Sequence, residues 1–236
     1  MNNCFILLAA GKGKRFNSKE KKQFINYKNK PLFMHSIDKA KKSNLFKKII
    51  LVTNKHIKIP NVNVIKGGNE RSDSSFNALK YLKNKKIKNV FIHDAARPNF
   101  SLNLIFSLFK NLKKYKCVVP AIKTNDSVKL KNKDQIFNLN RKNIYLTQTP
   151  QAFNYNEIYK LQKDQSLKIT DDANLFISAG KKIKIINGEL KNNKITFYSD
   201  ITFDKIIKYG IGFDVHKLVK GKKLYLGGIK IPYSLG

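Results

Sequence analysis

The sequence contains no tryptophan, only two cysteines and only four arginines among its 236 residues. Cys4 and Cys117 are far apart and in no paired spacing, which argues against a disulfide framework or a thiolate zinc site and predicts a reducing, cytoplasmic environment. No apolar run approaches the roughly 18 residues of a membrane-spanning helix, so we expect no membrane partner. The opening run CFILLAA is too short for a signal peptide and predicts a buried first strand instead.

Acidic residues are also scarce, since 15 of them face 48 basic residues and leave a formal net charge of +33. Such a charge is compatible with nucleic-acid binding, and a basic nucleic-acid-binding protein therefore stays open as an alternative. However, 44 of the basic residues are lysines spread along the whole chain rather than gathered in a stripe. Because lysine is the usual basic residue of this chain, each arginine indicates a position that needs a planar guanidinium group able to make two hydrogen bonds at once.

Short apolar runs alternate with helical patterns along most of the chain. Strands are predicted at 4–10, 47–53, 61–67, 89–95, 116–122 and 181–188, and helices at 31–43, 72–84, 101–114, 155–164, 171–180 and 200–208. The alternation predicts an α/β fold with a mostly parallel sheet covered by helices on both faces. The polar segment 123–149 is predicted to leave the sheet as a β-arm. A break near residue 209 divides the chain into predicted domains at 1–208 and 209–236.

The first strand runs into the segment AAGKGKRF at residues 9–16. Glycines at the end of a strand let the backbone approach a ligand, and free N–H groups there can hold a phosphate chain. Arg15 and Lys22 add two cations near the same loop. The pattern lacks the third glycine of the dinucleotide fingerprint and the Gly-Lys-Ser/Thr of the Walker loop. An ordinary glycine-containing loop is the alternative.

The fourth strand ends in HDAARP at residues 93–98. Asp94 is placed at the carboxyl end of a strand of an open sheet, where a carboxylate is suited to holding Mg²⁺ for a nucleotide. Arg97 follows on the same loop and is a candidate for gripping a second anion. The alternative is that Asp94 and Arg97 form a local ion pair. His93 is predicted to be a packed, structural histidine.

Together these motifs resemble the 2-C-methyl-D-erythritol 4-phosphate cytidylyltransferase family over residues 4–208. The resemblance rests on AAGKGKRF, KKQF (21–24), KPLFMHSI (30–37), GGNERSDS (67–74), HDAARP, NDSVK (125–129), LTQTPQAF (146–153) and ITDDA (169–173). It implies a Rossmann-like nucleotidyltransferase fold that transfers CMP from CTP, with Mg²⁺, to methylerythritol phosphate. The ribitol 5-phosphate cytidylyltransferase family shares most of these loops and remains the rival, together with other sugar-phosphate nucleotidyltransferases.

The resemblance also implies roles for particular residues. The catalytic cations would be Arg15, Lys22 and Lys194. The nucleotide would be bound by Ala9, Ala10, Gly11, Gly13, Gly68 and Ser74. The methylerythritol phosphate would be held by Asp94, Arg97, Ser127, Arg141 and Thr170, with Asp94 also at the metal. Arg71 would brace the GGNER loop, and the arm at 123–149 would form a homodimer and lend substrate contacts to the neighbouring subunit.

Three positions depart from the family pattern. Asn69 stands where the family commonly has Asp, and Ser127 stands where Thr is frequent. After Lys194 the sequence ITFYSDI lacks the proline of the usual Thr-x-Pro-x-Asp. A surface lysine with no catalytic role is therefore the alternative interpretation of Lys194.

The segment 209–236 carries Asp214 and His216 in the Asp-x-His spacing of many metal sites. It resembles the first strands of 2-C-methyl-D-erythritol 2,4-cyclodiphosphate synthase, in which this pair supplies two ligands to a divalent metal, commonly zinc. A catalytic zinc site needs a third protein ligand. We therefore expect a truncated start of that enzyme, with no tight metal binding and no cyclase activity by this chain, and with zinc only in an intact cyclase domain.

Overall fold

The computed structural model describes residues 2–16, 20–163, 171–202, 210–213, 215 and 217–236. The chain separates into two compact units, Met1–Phe203 and Asp204–Gly236. This division lies close to the predicted boundary near 209. The predicted activity of each domain is not tested by this division.

The first unit contains strands β1 to β12 and helices α1 to α6. The strands are β1 (Asn3–Leu8), β2 (Asn26–Tyr27), β3 (Lys30–Pro31), β4 (Lys48–Val52), β5 (Asn63–Ile65), β6 (Asn89–Asp94), β7 (Cys117–Lys123), β8 (Val128–Asn132), β9 (Gln135–Leu139), β10 (Tyr145–Thr147), β11 (Gln151–Asn154) and β12 (Lys184–Asn187). The helices are α1 (Leu32–Lys42), α2 (Arg71–Tyr81), α3 (Leu102–Leu112), α4 (Tyr155–Lys163), α5 (Asn174–Ser178) and α6 (Ser199–Thr202). Residues 203–208 of the predicted last helix lie outside the described residues.

The central sheet has the strand order β10-β7-β11-β6-β1-β4-β5, and β12 pairs with β7. Strands β4, β1 and β6 are parallel neighbours, as are β4 and β5, and β7 and β12. Strand β11 runs antiparallel between β6 and β7, and β10 runs antiparallel to β7. The predicted mostly parallel, Rossmann-like sheet is confirmed, but β11 within it is an addition that the sequence pattern did not predict.

The two faces of the sheet carry separate apolar cores. Alternate residues of β1 supply each one: Cys4, Ile6 and Leu8 pack with side chains of α2, α4 and α5. Phe5 and Leu7 pack on the opposite face with side chains of α1 and α3. Because every residue of β1 is buried, the strand has no polar face, which is typical of a parallel strand covered on both sides.

Local signals explain where two of these helices begin. Helix α3 begins after Ser101, whose hydroxyl oxygen accepts a hydrogen bond of 3.1 Å from the N–H of Leu104. At the start of α2, the Asp73 side chain accepts a hydrogen bond of 2.9 Å from the N–H of Glu70. This second cap fixes the chain direction just after the GGNER loop, which borders the cleft between β1, β6 and α2.

The predicted arm at 123–149 is present as a hairpin of β8 and β9, which pair with each other and with no other strand that the structure describes. Its apolar side chains are exposed, since Leu130 is 50%, Ile136 is 68% and Phe137 is 45% accessible. The chain then returns to the sheet through β10. The arm is therefore an excursion between two strands of the central sheet.

The second unit contains a hairpin of β13 (Leu224–Leu226) and β14 (Ile229–Ile231). Gly227 and Gly228 form its turn with φ angles of +58° and +81°, a conformation that favours glycine over other residues. The sequence predicted a new strand starting at YGIGFDVH. Residues 210–213, 215 and 217, which the structure describes there, are not in a strand, and Asp214 and His216 lie outside the described residues.

Candidate functional site

The glycine-containing loop after β1 is held in place by Gln23. The amide Nε2 of Gln23 donates hydrogen bonds of 2.8 Å to the carbonyl of Ala9 and 3.0 Å to that of Gly11. Gly13 has a φ of +65°, which a residue with a side chain rarely adopts. These contacts keep the loop open at the carboxyl end of β1. Gln23 belongs to the motif KKQF, but the sequence alone indicated no role for it.

A cleft of about 560 Å³ lies between this loop, the start of α2 and the end of β6. Ten of the predicted site residues line it, namely Ala9, Ala10, Gly11, Gly13, Arg15, Lys22, Gly68, Ser74, Asp94 and Lys194. The structure thus brings together segments that are spread over most of the first unit. The roles of these residues remain predictions, but their shared location is an observation.

The cations around this cleft include the three that the resemblance assigns to catalysis. Arg15 is exposed in a short 3-10 helix, Lys22 is half-buried, and Lys194 is exposed. The pKa of Lys22 is lowered from its ordinary value by burial and by the charges of Lys194 and Arg15. Positive charges held together in a cleft repel one another, and an anion that binds between them offsets this repulsion. The arrangement suits a polyphosphate.

Asp94 has both carboxylate oxygens engaged by cations. Its Oδ1 accepts a hydrogen bond of 3.0 Å from Nε of Arg71, and its Oδ2 accepts one of 2.7 Å from Nζ of Lys194. Burial would raise the pKa of the Asp94 carboxyl, but Arg71 and Lys194 outweigh it and hold that pKa well below its usual range. Asp94 is therefore an anion in the folded protein.

The alternative of a local ion pair between Asp94 and Arg97 is wrong. The guanidinium of Arg97 instead donates a hydrogen bond of 2.8 Å from Nη1 to the carbonyl of Asn192. Asn192 is buried and its Nδ2 donates to the carbonyl of Thr149 at 2.8 Å. The guanidinium group of Arg97 is thus engaged by a buried carbonyl rather than by Asp94.

His93 is fully buried and structural, as predicted. Its Nε2 faces the carbonyl of Arg97 at 3.0 Å, so this nitrogen carries the proton and donates. Its Nδ1 then accepts from the hydroxyl of Thr149 at 2.9 Å, and that hydroxyl accepts from the N–H of Asp94. Burial lowers the pKa of His93 to about 3, so the imidazole is neutral.

The loop before α2 is shaped by close contacts at its two glycines. A Cβ added to Gly67 would lie 2.2 Å from Cβ of Ala10, and one added to Gly68 would lie 2.2 Å from Cβ of Asp73. Ser74 accepts a hydrogen bond of 3.1 Å from the N–H of Gly68 and donates one of 3.1 Å to the carbonyl of Glu70. Only glycine fits these two positions, and the Ser74 hydroxyl braces the loop.

Three of the residues predicted to hold the acceptor substrate, Arg97, Ser127 and Arg141, do not line the cleft. Ser127 and Arg141 are exposed at the base of the arm, where Nη1 of Arg141 donates to the carbonyl of Asn125 at 2.8 Å. Thr170, a fourth, lies outside the described residues. The structure therefore brings Asp94 to the nucleotide loops but not Arg97, Ser127 or Arg141.

Comparison with known proteins decides the family. A family model described as 2-C-methyl-D-erythritol 4-phosphate cytidylyltransferase matches residues 3–208. The chain belongs to the 2-C-methyl-D-erythritol 4-phosphate cytidylyltransferase family. A protein of that name from Clostridium botulinum is 35% identical over 216 residues, which cover 84% of this chain and 94% of the relative. Members of this family are nucleotidyltransferases, so the resemblance stated from the motifs is confirmed.

A second group of relatives is longer than this chain. A protein of Pelagibacter ubique named bifunctional enzyme IspD/IspF is 58% identical over 243 residues, covering 100% of this chain and 66% of the relative. The structure of the bifunctional IspDF from Campylobacter jejuni is 32% identical with a TM-score of 0.77, covering 100% of this chain and 64% of that one. The chain thus spans about two thirds of the length of these bifunctional members.

Solved structures of single-enzyme members also match. The 4-diphosphocytidyl-2C-methyl-D-erythritol synthase from Anaerococcus prevotii is 30% identical with a TM-score of 0.74, covering 85% of this chain and 95% of that one. This match confirms the nucleotidyltransferase fold class. Among the residues that the structure describes, no helix is long and apolar enough to cross a membrane.

Proposed function

We propose that this chain transfers CMP from CTP to 2-C-methyl-D-erythritol 4-phosphate, giving 4-diphosphocytidyl-2-C-methyl-D-erythritol and pyrophosphate in non-mevalonate isoprenoid biosynthesis. The single observation that carries the proposal is the cleft in which Arg15, Lys22 and Lys194 face the glycine-containing loop after β1. Family membership supports the substrate pair. It also displaces the nucleic-acid alternative, because the family model accounts for nearly the whole first unit.

In the proposed reaction the phosphate of the acceptor is the nucleophile. An oxygen of that phosphate bonds to the α-phosphorus of CTP while the bond from this phosphorus to the β-phosphate oxygen breaks, and pyrophosphate leaves with that electron pair. The protein supplies no covalent nucleophile. Its task is to align the two anions and to offset the charge that gathers between them. We assign that task to Arg15, Lys22 and Lys194.

We further propose that Ala9, Ala10, Gly11 and Gly13 wrap the triphosphate and that Gly68 and Ser74 lie against the cytosine and ribose. Lys22 donates a hydrogen bond of 2.8 Å from its Nζ to the carbonyl of Ile195. Because an ammonium group has three donors, this bond leaves Lys22 with donors for a phosphate. The loop, its bracing residues and this lysine together match a nucleoside triphosphate better than a small neutral ligand.

A magnesium ion bound with CTP would be held through Asp94. Mg²⁺ is commonly held by one or two carboxylates together with substrate phosphates, so the ionised carboxylate of Asp94 at the cleft suits it. Among the residues that the structure describes, no group of three His, Cys, Asp or Glu side chains could hold a metal. The ion would supply charge neutralisation at the phosphates. Asp94 would supply the anchoring oxygen.

The acceptor end of the site is proposed to be shared between two subunits. Arg97 and Thr170 would come from one subunit, and Ser127 and Arg141 from the arm of its neighbour in a homodimer. Their location supports this division, since Ser127 and Arg141 lie at the base of an exposed apolar hairpin and away from the nucleotide cleft. The exposed side chains of Leu130, Ile136 and Phe137 would form the contact.

For the second unit we propose the beginning of a 2-C-methyl-D-erythritol 2,4-cyclodiphosphate synthase part. The support is the Asp-x-His spacing of Asp214 and His216 and the names of the bifunctional relatives. These two residues would be zinc ligands in an intact part of that kind. Two free, buried cysteines in the first unit support the proposal that the protein works in the reducing cytoplasm.

A panel of acceptors tests the function. Purified protein is incubated with CTP, Mg²⁺ and either methylerythritol phosphate or ribitol 5-phosphate, and pyrophosphate release is followed with time. We expect release with methylerythritol phosphate and little release with ribitol 5-phosphate. A preference for ribitol 5-phosphate would support the rival family instead. Binding to nucleic acid with a steep salt dependence, and no release with either acceptor, would support the remaining alternative.

A further inference from the structure

Arg71, the first residue of α2, bridges two carboxylates. Its Nε donates to Oδ1 of Asp94 at 3.0 Å, and its Nη1 donates to Oδ2 of Asp172 at 2.6 Å. Asp172 is fully buried, whereas Arg71 and Asp94 line the cleft. Burial alone would lower the pKa of the Arg71 guanidinium, but Asp172 and Asp94 more than offset this and raise that pKa. The guanidinium is therefore a permanent cation between two anions.

This bridge fixes the orientation of the Asp94 carboxylate at the cleft. The carboxylate of an aspartate turns easily about its last bond, so an unrestrained Asp94 would have no fixed direction for its two equivalent oxygens. Arg71 occupies Oδ1 and leaves Oδ2, which accepts a hydrogen bond of 2.7 Å from Nζ of Lys194. The place of the Lys194 ammonium group consequently depends on how Arg71 holds Asp94.

The buried end of the bridge is anchored to two helices. Oδ1 of Asp172 accepts a hydrogen bond of 2.8 Å from the hydroxyl of Ser75 in α2. The same hydroxyl oxygen accepts one of 2.9 Å from Nε2 of Gln162 in α4. Because packed helices move little, Arg71 is a rigid support for Asp94.

Arginine is required for this geometry. Its planar fork presents Nε and Nη1 in different directions and can meet two carboxylates at once, whereas lysine has a single nitrogen at the end of a flexible stem. The chain contains 44 lysines and four arginines, so an arginine at position 71 stands out. The motif resemblance predicts that Arg71 braces the GGNER loop, a role that involves neither Asp94 nor Lys194.

We propose that Arg71 is a positioning residue for the transfer reaction, which orients Asp94 so that Asp94 in turn places the ammonium group of Lys194 over the phosphate end of the cleft. This proposal rests on the proposed function. Arg71 acts on pyrophosphate that binds without Mg²⁺ only through Asp94 and Lys194. The effect of replacing Arg71 on that binding therefore disappears once Lys194 has been removed.

A double-mutant cycle tests this dependence. Four proteins are compared: the wild type, Arg71→Lys, Lys194→Ala and the double variant. Binding of inorganic pyrophosphate without Mg²⁺ is measured by calorimetry, and kcat is measured from pyrophosphate release with CTP, Mg²⁺ and methylerythritol phosphate. We expect Arg71→Lys to lower kcat and to weaken pyrophosphate binding by about tenfold, and to change pyrophosphate binding by less than about twofold in the Lys194→Ala background. A fall in kcat should remain in that background, because Asp94 would also anchor Mg²⁺.

Equal losses of pyrophosphate binding in both backgrounds would overturn the proposal, because Arg71 would then act independently of Lys194. If Lys194→Ala leaves pyrophosphate binding unchanged, the proposal also fails, since Lys194 would not face the phosphates. Calorimetry needs no turnover, so a wild type that binds pyrophosphate but does not react would refute the proposed function while still reporting the coupling. Should Arg71→Lys not fold, Asp172→Asn keeps Arg71 but weakens its anchor and completes the same cycle.

Tyr155→Phe is the control for a purely structural effect. It removes the buried hydrogen bond of 3.1 Å from the Tyr155 hydroxyl to the carbonyl of Leu79 and leaves every hydrogen bond of the bridge in place. We expect a lower midpoint of thermal unfolding with kcat within about twofold of the wild type, since losing one buried hydrogen bond costs stability. If Tyr155→Phe reproduces the kinetic loss of Arg71→Lys, the role of Arg71 is structural and the proposal is wrong.

Discussion

Lys22 donates a hydrogen bond of 2.8 Å from its Nζ to the main-chain carbonyl of Ile195, which is 173 residues further along the chain. The N–H of Ile195 donates in turn to the carbonyl of Ala96, also at 2.8 Å. Ile195 follows Lys194 directly. One short piece of backbone therefore connects two of the three predicted catalytic cations with the HDAARP loop.

The lowered pKa of Lys22 predicts an early loss of activity at alkaline pH. Burial, Lys194 and Arg15 all disfavour the charged form, so Lys22 loses its proton below the ordinary lysine value of 10.5. A neutral amine cannot offset phosphate charge, and kcat/KM for CTP, which reports the free protein, should fall as pH rises through this lowered pKa. In Lys22→Arg the fall should move to higher pH, because arginine stays charged. If activity falls at the same alkaline pH in Lys22→Arg as in the wild type, another group causes the fall.

His93 predicts a dependence of stability on pH between 7 and 5. Its pKa is about 3 in the folded protein against an ordinary value of 6.5. Between these two pH values the unfolded chain therefore binds a proton that the folded protein does not. The free energy of unfolding should therefore decrease as pH falls from about 6.5, by about 1 kcal/mol per pH unit. Urea denaturation at several pH values measures this slope.

The matched variants for this slope are His93→Gln and His56→Gln. His93→Gln should lose most of the slope, and His35, whose pKa burial also lowers, supplies the remainder. His56 is exposed, and its replacement should leave the slope as it is. An undiminished slope in His93→Gln would show that His93 is not a buried neutral group.

Asp94→Asn is predicted to cost both stability and activity. The change removes one of the two anions that Arg71 bridges and the acceptor of Lys194. We expect the free energy of unfolding to fall by about 3 kcal/mol, as when one partner of a buried ion pair is removed. Asp38→Asn is the control, since Asp38 pairs with Lys30 at the surface and should contribute less than about 1 kcal/mol. Equal effects in urea denaturation would contradict this account of Asp94.

Ile136→Glu is predicted to separate the proposed homodimer. Ile136 is 68% exposed on the arm, and a charge there would be buried without a partner in a dimer contact. Sedimentation analysis should show a dimer for the wild type and a monomer for Ile136→Glu, with reduced turnover because Ser127 and Arg141 no longer reach the neighbouring site. Ile177→Glu, at a 56% exposed position outside the arm, should remain a dimer. A monomeric wild type would refute the shared site.

The strands of the central sheet differ in how readily the sequence predicts them. Strands β1, β4, β6 and β7 are nearly continuous apolar runs bounded by turn residues, and each was found close to its predicted position. Strand β11 is the four residues QAFN, which are polar at both ends. Its extended form depends on pairing with β6 and β7 rather than on its own residues, so no local pattern revealed it.

The site shows the same distinction between local and distant contacts. Asp94 and the loop after β1 follow parallel neighbours, so their meeting at one edge of the sheet could be predicted from the order of strands. The contacts of Arg71 with Asp172 and of Lys22 with Ile195 join residues 101 and 173 positions apart. Such contacts depend on how helices and loops pack on the sheet, which no short motif encodes.

The most direct test of the proposed chemistry compares pyrophosphate release by the wild type with release by Arg15→Ala and Lys22→Ala. Lys42→Ala, at an exposed position at the end of α1, is the control for loss of one positive charge. With CTP, Mg²⁺ and methylerythritol phosphate, we expect turnover by the wild type and by Lys42→Ala. Both cleft variants should keep their fold, judged by circular dichroism, and lose about a hundredfold or more in kcat. Full activity of Arg15→Ala and Lys22→Ala would contradict the account.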